Sequence, residues 1–483
     1  MNKKMRIALV LSAVLVAVLG LAMVSAQGGD SLTNSTSWTL QNLGSTTANV
    51  QVQFYSATGS GVPVASDTFT VSKSRAFYAP TYPVVPANFN GGLIANSDQP
   101  LASIANQLLV NNTTGRTAYA TYMGATSNSV GTTMYVPIVM RKYGGLYDTE
   151  ISIQNTDTSD NSITIYYYDT NGNEVVAARK TDTIKAGQPQ RYPQASATGL
   201  TDGFIGAAKV VAGSPVAVIL NEFDGRPGNM YNQFYSFEGF ASGATTLYMP
   251  TVFINGYGGF NASASVQNVG AAPAHVTWYF YDSGVTTGAV YSYTETITVA
   301  KSVYFPFAPY ANTLINASAV DAGWVGSIKI VSDQNLVGTV NELNGSYIAG
   351  SYRAFGSGAT DLYYPTAFVK AYGIDANTSY AIADVSGTPG AVNVTVSYIA
   401  DKEACPTCND ANVTYSFTTS DSQYQPVHMG ATAPGALGTG GVFVGSIKIH
   451  VNTAGKTING TMNEIINTVN GDGFTAFDAF TNP

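Results

Sequence analysis

The residues best suited to chemistry form a pair that recurs along the chain, at Asn221-Glu222, Asn341-Glu342 and Asn463-Glu464, with Asn106-Gln107 as its first occurrence. A carboxylate beside an amide can hold a cation or a sugar hydroxyl, and repetition would multiply the contact. A function that depended on the carboxylate would not readily accept Gln107, so the pair reads first as structural, with a glycan or cation contact as the minority reading. Each Asn follows a glycine at near-constant distance: Gly91 and Asn106, Gly206 and Asn221, Gly326 and Asn341, Gly445 and Asn463. Pairing each couple across a hairpin centres the turn on Asp98-Gln99, Gly213-Ser214, Asp333-Gln334 or Ala454 beside Gly455, all turn-forming residues. In that register each Asn faces a glycine and hydrogen-bonds the exposed backbone.

The other candidates are sparser. Cys405-Pro406-Thr407-Cys408 has the spacing of a redox dithiol or half a zinc site. It lies between two alternating strands of a chain with an export signal, which favours a local loop-closing disulfide, and zinc would need two further ligands for which the vicinity offers no candidate. His275, His428 and His450 show no metal-binding spacing. Asp169-Thr170-Asn171-Gly172-Asn173 places oxygens at alternate positions, as calcium requires, but lacks the distal Glu of an EF-hand, and Asn-Gly between alternating strands predicts a hairpin turn. No nucleophile elbow, phosphate-binding loop or pair of catalytic carboxylates stands out. The expectation is a non-enzymatic protein without cofactor or metal, calcium being the weak alternative.

Composition narrows the class. Only 10% of the 483 residues are charged, against about 25% in an average soluble protein. The 45% hydrophobic content, with 31 Tyr and 21 Phe, still supplies ample core. A net charge of −8 and no basic stripe beyond the first residues exclude nucleic acid as a partner. The N-terminus carries Lys3, Lys4 and Arg6, an apolar run from Ile7 to Leu21, and Val24-Ser25-Ala26. This predicts a secretory signal over 1–26, cleaved after Ala26. An uncleaved membrane anchor is the competing reading; no second apolar span of that length follows, so the mature chain is expected to have no membrane span. Sequons including Asn261, Asn316 and Asn393 permit glycosylation without arguing for it.

The elements that position these residues repeat. Tyr135-Val136-Pro137, Tyr248-Met249-Pro250 and Tyr363-Tyr364-Pro365 open successive units, and the joints Ala241-Ser242-Gly243-Ala244-Thr245 and Gly356-Ser357-Gly358-Ala359-Thr360 mark boundaries. Gln41-Asn42, Gln154-Asn155 and Gln267-Asn268 recur next, with Ala383-Asp384 as the fourth unit's departure. Alternating strands follow, such as Val50-Val52-Phe54 and Val276-Trp278-Phe280, which bury one face and wet the other. The expected fold is all-β, four tandem Ig-like antiparallel β-sandwich repeats over 27–131, 132–245, 246–360 and 361–483. Phrases such as Ser265-Val266-Gln267-Asn268-Val269-Gly270 resemble the Ig-like, adhesion-related modules of bacterial exported proteins, which implies a cell-surface role without naming a ligand.

Tandem sandwiches on short joints predict an extended rod. A weakly charged surface lets copies pack closely, which fits a surface layer, sheath or filament assembled from the protein itself. The first unit, opening at Trp38-Thr39-Leu40-Gln41, lacks a Tyr-x-Pro strand and so offers an open sheet edge. The segment from Phe474 to Phe480 of the next molecule is the expected donor. The alternative class is an adhesin that binds cell-surface polysaccharide through aromatics such as those of Tyr166-Tyr167-Tyr168.

Overall fold

In the computed structural model the described residues are 16–19, 32–224, 233–283, 288–306, 323–345, 348–419, 424–429 and 434–481. The cleavage point after Ala26 and the sequon at Asn316 lie outside them. The chain is all-β, several antiparallel sheets with short 3-10 turns. Alternation does what it predicts: along Ala48–Ser56, Ala48, Val50, Val52 and Phe54 are buried while Asn49 and Gln51 face solvent.

The strands recur as a set of eight positions in two facing sheets. In the first repeat one sheet runs Ala65–Val71, Ala48–Ser56, Gly91–Ser97, Val16–Leu19, and the other Ser74–Tyr78, Leu32–Asn42, Leu101–Asn111, Thr117–Met123. By chain position this is the order 4-3-6-1 over 5-2-7-8, and the other repeats share it. The pairings of the third with the sixth and the second with the fifth are those of an immunoglobulin sandwich. The first, fourth and seventh strands depart from that pattern: the first and fourth lie in the sheet of the third and sixth, and the seventh joins the opposite sheet. Each repeat has an apolar core, and three of the four cores take in buried residues of a neighbour: Ile104 in the fourth, Phe474 and Ala476 in the third, and Ile219 in the first.

The sixth and seventh strands correct the hairpin expected between each Gly and Asn. In the second and third repeats they form one continuous strand, Phe204–Asp224 and Trp324–Asn344, which crosses from one sheet to the other. Gly206 therefore pairs with Val139, and Asn221 with Glu150 and Ser236. Gly91 pairs with Ser56, Asn106 with Ser37 and Thr121. Gly326 pairs with Asp282 and Asn341 with Ser263; Gly445 pairs with Ala400 and Asn463 with Ser379. A two-residue hairpin needs positive φ at its centre, and Gly213, Ser214, Asp333 and Gln334 all keep negative φ, so the chain passes through extended. The glycines recur for another reason. A Cβ on Gly91, Gly206, Gly326 or Gly445 would lie 2.0, 2.0, 2.1 and 2.1 Å from the carbonyl oxygen of Tyr55, Tyr168, Tyr281 and Ile399 on the third strand.

The expected rod is also overturned. The eighth strands, Thr117–Met123, Phe234–Glu238, Ile348–Arg353 and Phe474–Asp478, pack against one another in a cycle, so that the fourth repeat meets the first. Thr117 forms a parallel bridge with Gly471, and the repeats close into a ring about a pseudo-fourfold axis. Close approach is permitted by small buried residues at one equivalent position, Thr121, Ser236, Ser351 and Ala476. The terminal segment is not free to be donated: Phe474–Asp478 pairs with Ile458–Ile466, and Phe480–Thr481 with Leu362 and Tyr363, all within the fourth repeat.

Candidate functional site

The recurrent motifs meet at the seams between neighbouring repeats. Each Asn of the Gln-Asn motif ties its own loop, as Asn268 Nδ2 does to Ala272 O at 2.8 Å and Ile297 O at 2.9 Å. Two of the three Gln reach a neighbouring repeat. Gln41 of the first repeat donates to Ile447 O of the fourth at 3.3 Å, and Gln154 of the second lies against Gly92 of the first.

The Asn-Glu pairs stand at the same seams. The glutamate is buried in the seventh strand, and the following repeat covers it. Asn341 Nδ2 donates to Glu222 Oε2 at 3.1 Å, Asn463 faces Glu342, and Tyr119 of the first repeat donates its hydroxyl to Glu464 Oε2 of the fourth at 2.5 Å. Loss of hydration on burial pushes the carboxyls of Glu222 and Glu342 up to about 8 and that of Glu464 to about 7.

A cavity of about 460 Å³ opens at the seam of the fourth and first repeats. The fourth repeat contributes Phe368, Tyr372, Ile374, Glu464 and Ile466; the first contributes Ser35, Ser37, Ala76, Tyr78, Asn106 and Tyr119. The register explains the space. Tyr304 in the third repeat pairs with Ser265 as Ala76 pairs with Thr39, so the two hold equivalent positions. Tyr304 packs edge-on to Tyr143 at 6.0 Å, beside Glu222, and fills its seam. Arg191 holds the equivalent place in the second repeat and is ion-paired with Glu150 at 2.5 Å. Ala76 fills nothing.

The mouth of the cavity is shaped by the Cys-x-x-Cys loop. Cys405 and Cys408 are joined in a disulfide. The loop around them reaches the first repeat through Asp401 Oδ2, which accepts from Ala76 N at 2.8 Å, and through Lys73–Asp410 and Arg75–Glu403 ion pairs. The histidines lie elsewhere: His275 Nδ1 contacts Asp333 at 2.7 Å and His450 Nδ1 contacts Asp361 at 3.0 Å, both at the surface. Asp169 forms the turn anticipated for it, accepting from Asn171 N and Asn173 N at 2.8 and 2.9 Å, and Gly172 has a φ of +87°. No group of three metal-binding side chains occurs among the described residues.

Two axial features carry no local sequence signal. Arg353 of the third repeat pairs with Glu238 of the second at 2.8 Å and Asp478 of the fourth at 2.9 Å. All three hold one repeat position, shared with Met123. Asp472 of the fourth repeat accepts from Phe234 N at 3.1 Å and Ala349 N at 3.2 Å, while its own amide donates to Thr117 O at 2.9 Å, so one residue touches the other three repeats. Only comparison of equivalent positions could have singled these out.

The remaining candidate is the sheet edge of the first repeat. Its first position is held by Val16–Leu19, with Val16 opposite Ala95, Ala17 opposite Ile94 and Val18 opposite Leu93. In the second repeat Met134, Tyr135 and Val136 stand opposite Val210, Lys209 and Ala208. The apolar N-terminal run thus occupies the slot of the Tyr-x-Pro strand. Lys209, Lys329 and Lys448 recur opposite Tyr135, Tyr248 and Tyr363, and Ile94 replaces them in the first repeat.

No family model matches the chain. No curated protein matches it either. Among solved structures, it is similar to Thermotoga maritima 1070 over 23% of this chain and 94% of that one, at 16% identity and a TM-score of 0.19. A structure of infectious bursal disease virus, Gx strain, aligns with 96% of this chain and 85% of that one, at 9% identity and a TM-score of 0.11.

Proposed function

We propose that the protein is an exported, non-enzymatic structural subunit of the cell surface, built from four repeats, which associates with a second copy through the open sheet edge of its first repeat. The observation that carries this reading is the occupancy of that edge by Val16–Leu19, a piece of the signal-like segment. Export with cleavage after Ala26 removes the piece and leaves Gly91–Ser97 unpaired on one side. Edge strands are ordinarily guarded by charges such as lysine. The first repeat carries Ile94 at the position of Lys209, Lys329 and Lys448, whose strands are already paired and are not edges, so the edge left by cleavage would lack a charge at its centre. Ile94 is also the midpoint of Gly91–Ser97, so a two-fold related copy places Ile94 against Ile94 and Leu93 against Ala95, apolar opposite apolar.

The test is sedimentation of residues 27–483 and of its Ile94→Lys variant. A concentration-dependent dimer that the lysine dissolves is the expected result; a monomer at every concentration refutes the reading. A second reading, glycan adhesion, is favoured by Tyr257 and Tyr372, exposed by 57% and 54% at the same loop of the third and fourth repeats. Saturable binding on a glycan array, lost on Tyr257→Ala and Tyr372→Ala, would support it.

A further inference from the structure

We propose that the cavity between the fourth and first repeats is a binding site for a small organic cation, an ammonium group carried on a flat apolar body. The volume of about 460 Å³ falls within the ~300–1,000 Å³ typical of small-molecule sites. Its walls are largely apolar and aromatic, with Tyr78, Phe368 and Tyr372 presenting rings and Ile374 and Ile466 completing the surface. Such rings suit both a flat apolar body and an adjacent positive charge.

Ser35, Ser37, Thr39 and Asn106 supply neutral polar groups, and Glu464 is the one carboxylate of the lining. Glu464 is 1% exposed and lines the cavity. Its Oε2 takes the Tyr119 hydroxyl, whereas Oε1 completes no hydrogen bond, although Thr366 stands nearby. No lysine or arginine lines the cavity, so nothing there balances an ionised Glu464. A buried carboxylate without a counter-charge is costly, and a ligand cation would supply the missing partner. A sugar is a poorer fit, because its hydroxyls would have to be desolvated against a mostly apolar wall.

The neighbouring seams supply the control. Tyr304 packs beside Glu222 where the fourth and first repeats leave space above Glu464. The ligand's ring would take the place that the Tyr304 ring takes in the sister seam. This inference does not depend on the self-association proposed above, since the cavity and the open edge are separate sites.

The experiment is calorimetric titration of the purified protein with benzylammonium and with benzyl alcohol, its neutral counterpart, at millimolar concentration. Two variants copy residues that the other repeats already accommodate: Glu464→Gln, as at Gln107, and Ala76→Tyr, as at Tyr304. The expected result is that benzylammonium binds about tenfold or more tightly than the alcohol, that Glu464→Gln erases the difference, and that Ala76→Tyr abolishes binding of both. Equal affinity for the two probes, absence of binding, or binding that survives Ala76→Tyr overturns the proposal. Circular dichroism of each variant establishes that it is folded before it is titrated.

Discussion

At the scale of single residues, the repeats show one structural task solved with different chemistry. Asn268 uses its amide to tie the loop at Ala272 O, and its Oδ1 accepts from Gly270 N at 2.9 Å. In the fourth repeat Asp384 keeps the second contact, accepting from Ser386 N at 3.0 Å, but has no hydrogen to donate. Lys456 replaces it. Its ammonium is buried against Asp384 Oδ2 at 2.7 Å and donates to Thr388 O, the equivalent of Ala272 O. Lys456→Met should cost about 3–5 kcal/mol by stranding the Asp384 charge, and the double variant with Asp384→Asn should recover most of that in urea unfolding. The seam glutamates make a second residue-scale prediction. With folded values near 8 against an ordinary 4.5, Glu222 and Glu342 hold protons that the unfolded chain releases. The stability they confer is complete below about pH 4.5 and is lost as pH rises towards 8, by ~1.4 kcal/mol per pH unit for each carboxyl. Gln107 is the permanently neutral counterpart. Unfolding temperatures should therefore fall from pH 5 to pH 9, and Glu222→Gln with Glu342→Gln should fall less steeply; identical slopes would contradict the assignment.

At the scale of elements, the crossing strand accounts for the glycine in each repeat. The sixth strand passes so close to the third that a methyl group on Gly206 would meet Tyr168 O at 2.0 Å. Gly206→Ala should destabilise by about 3 kcal/mol although its backbone φ is compatible with alanine, a loss visible as a lowered denaturation midpoint. The Cys405–Cys408 loop makes a contrasting case. A disulfide that closes so short a loop contributes only about 2 kcal/mol through the unfolded state. Replacing both cysteines with serine should thus leave the fourth repeat folded, while loosening the loop that carries Asp401 to the Ala76 amide. Faster hydrogen exchange at Ala76, with the core amides unchanged, is the expected signature.

At the scale of the whole molecule, ring closure decides which surfaces are available. The fourth repeat packs on the first, so the C-terminal strands are consumed at the axis and one sheet edge, in the first repeat, depends on the N-terminal segment. A compact ring of this length should scatter with a radius of gyration of about 23 Å, whereas a rod of four sandwiches would be far longer. Asp472 is the residue on which closure most depends, because it accepts backbone N–H groups from the second and third repeats and pairs with the first. Asp472→Ala leaves those donors buried and unpaired, at about 1–3 kcal/mol each. It should enlarge the radius of gyration without removing strand signal in circular dichroism.

The sequence by itself determined the all-β class and the recurrence of one pattern, because alternation and repeated turn residues are local properties that survive in any packing. It marked the glycines and the Asn-Glu pairs as special but misassigned their partners. A Gly and an Asn at constant spacing are equally compatible with a hairpin and with strands that change sheets; the difference lies in which strands each half pairs with, the sixth against the first and third and the seventh against the second and eighth, which local spacing does not dictate. The seam cavity was illegible for a related reason. Ala76 is unremarkable until the register aligns it with Tyr304, and Glu464 meets Tyr119 only because the last repeat returns to the first. Ring against rod was decided by tertiary structure alone, since it depends on the sum of weak, distant contacts between eighth strands whose sequences share little beyond one small buried residue.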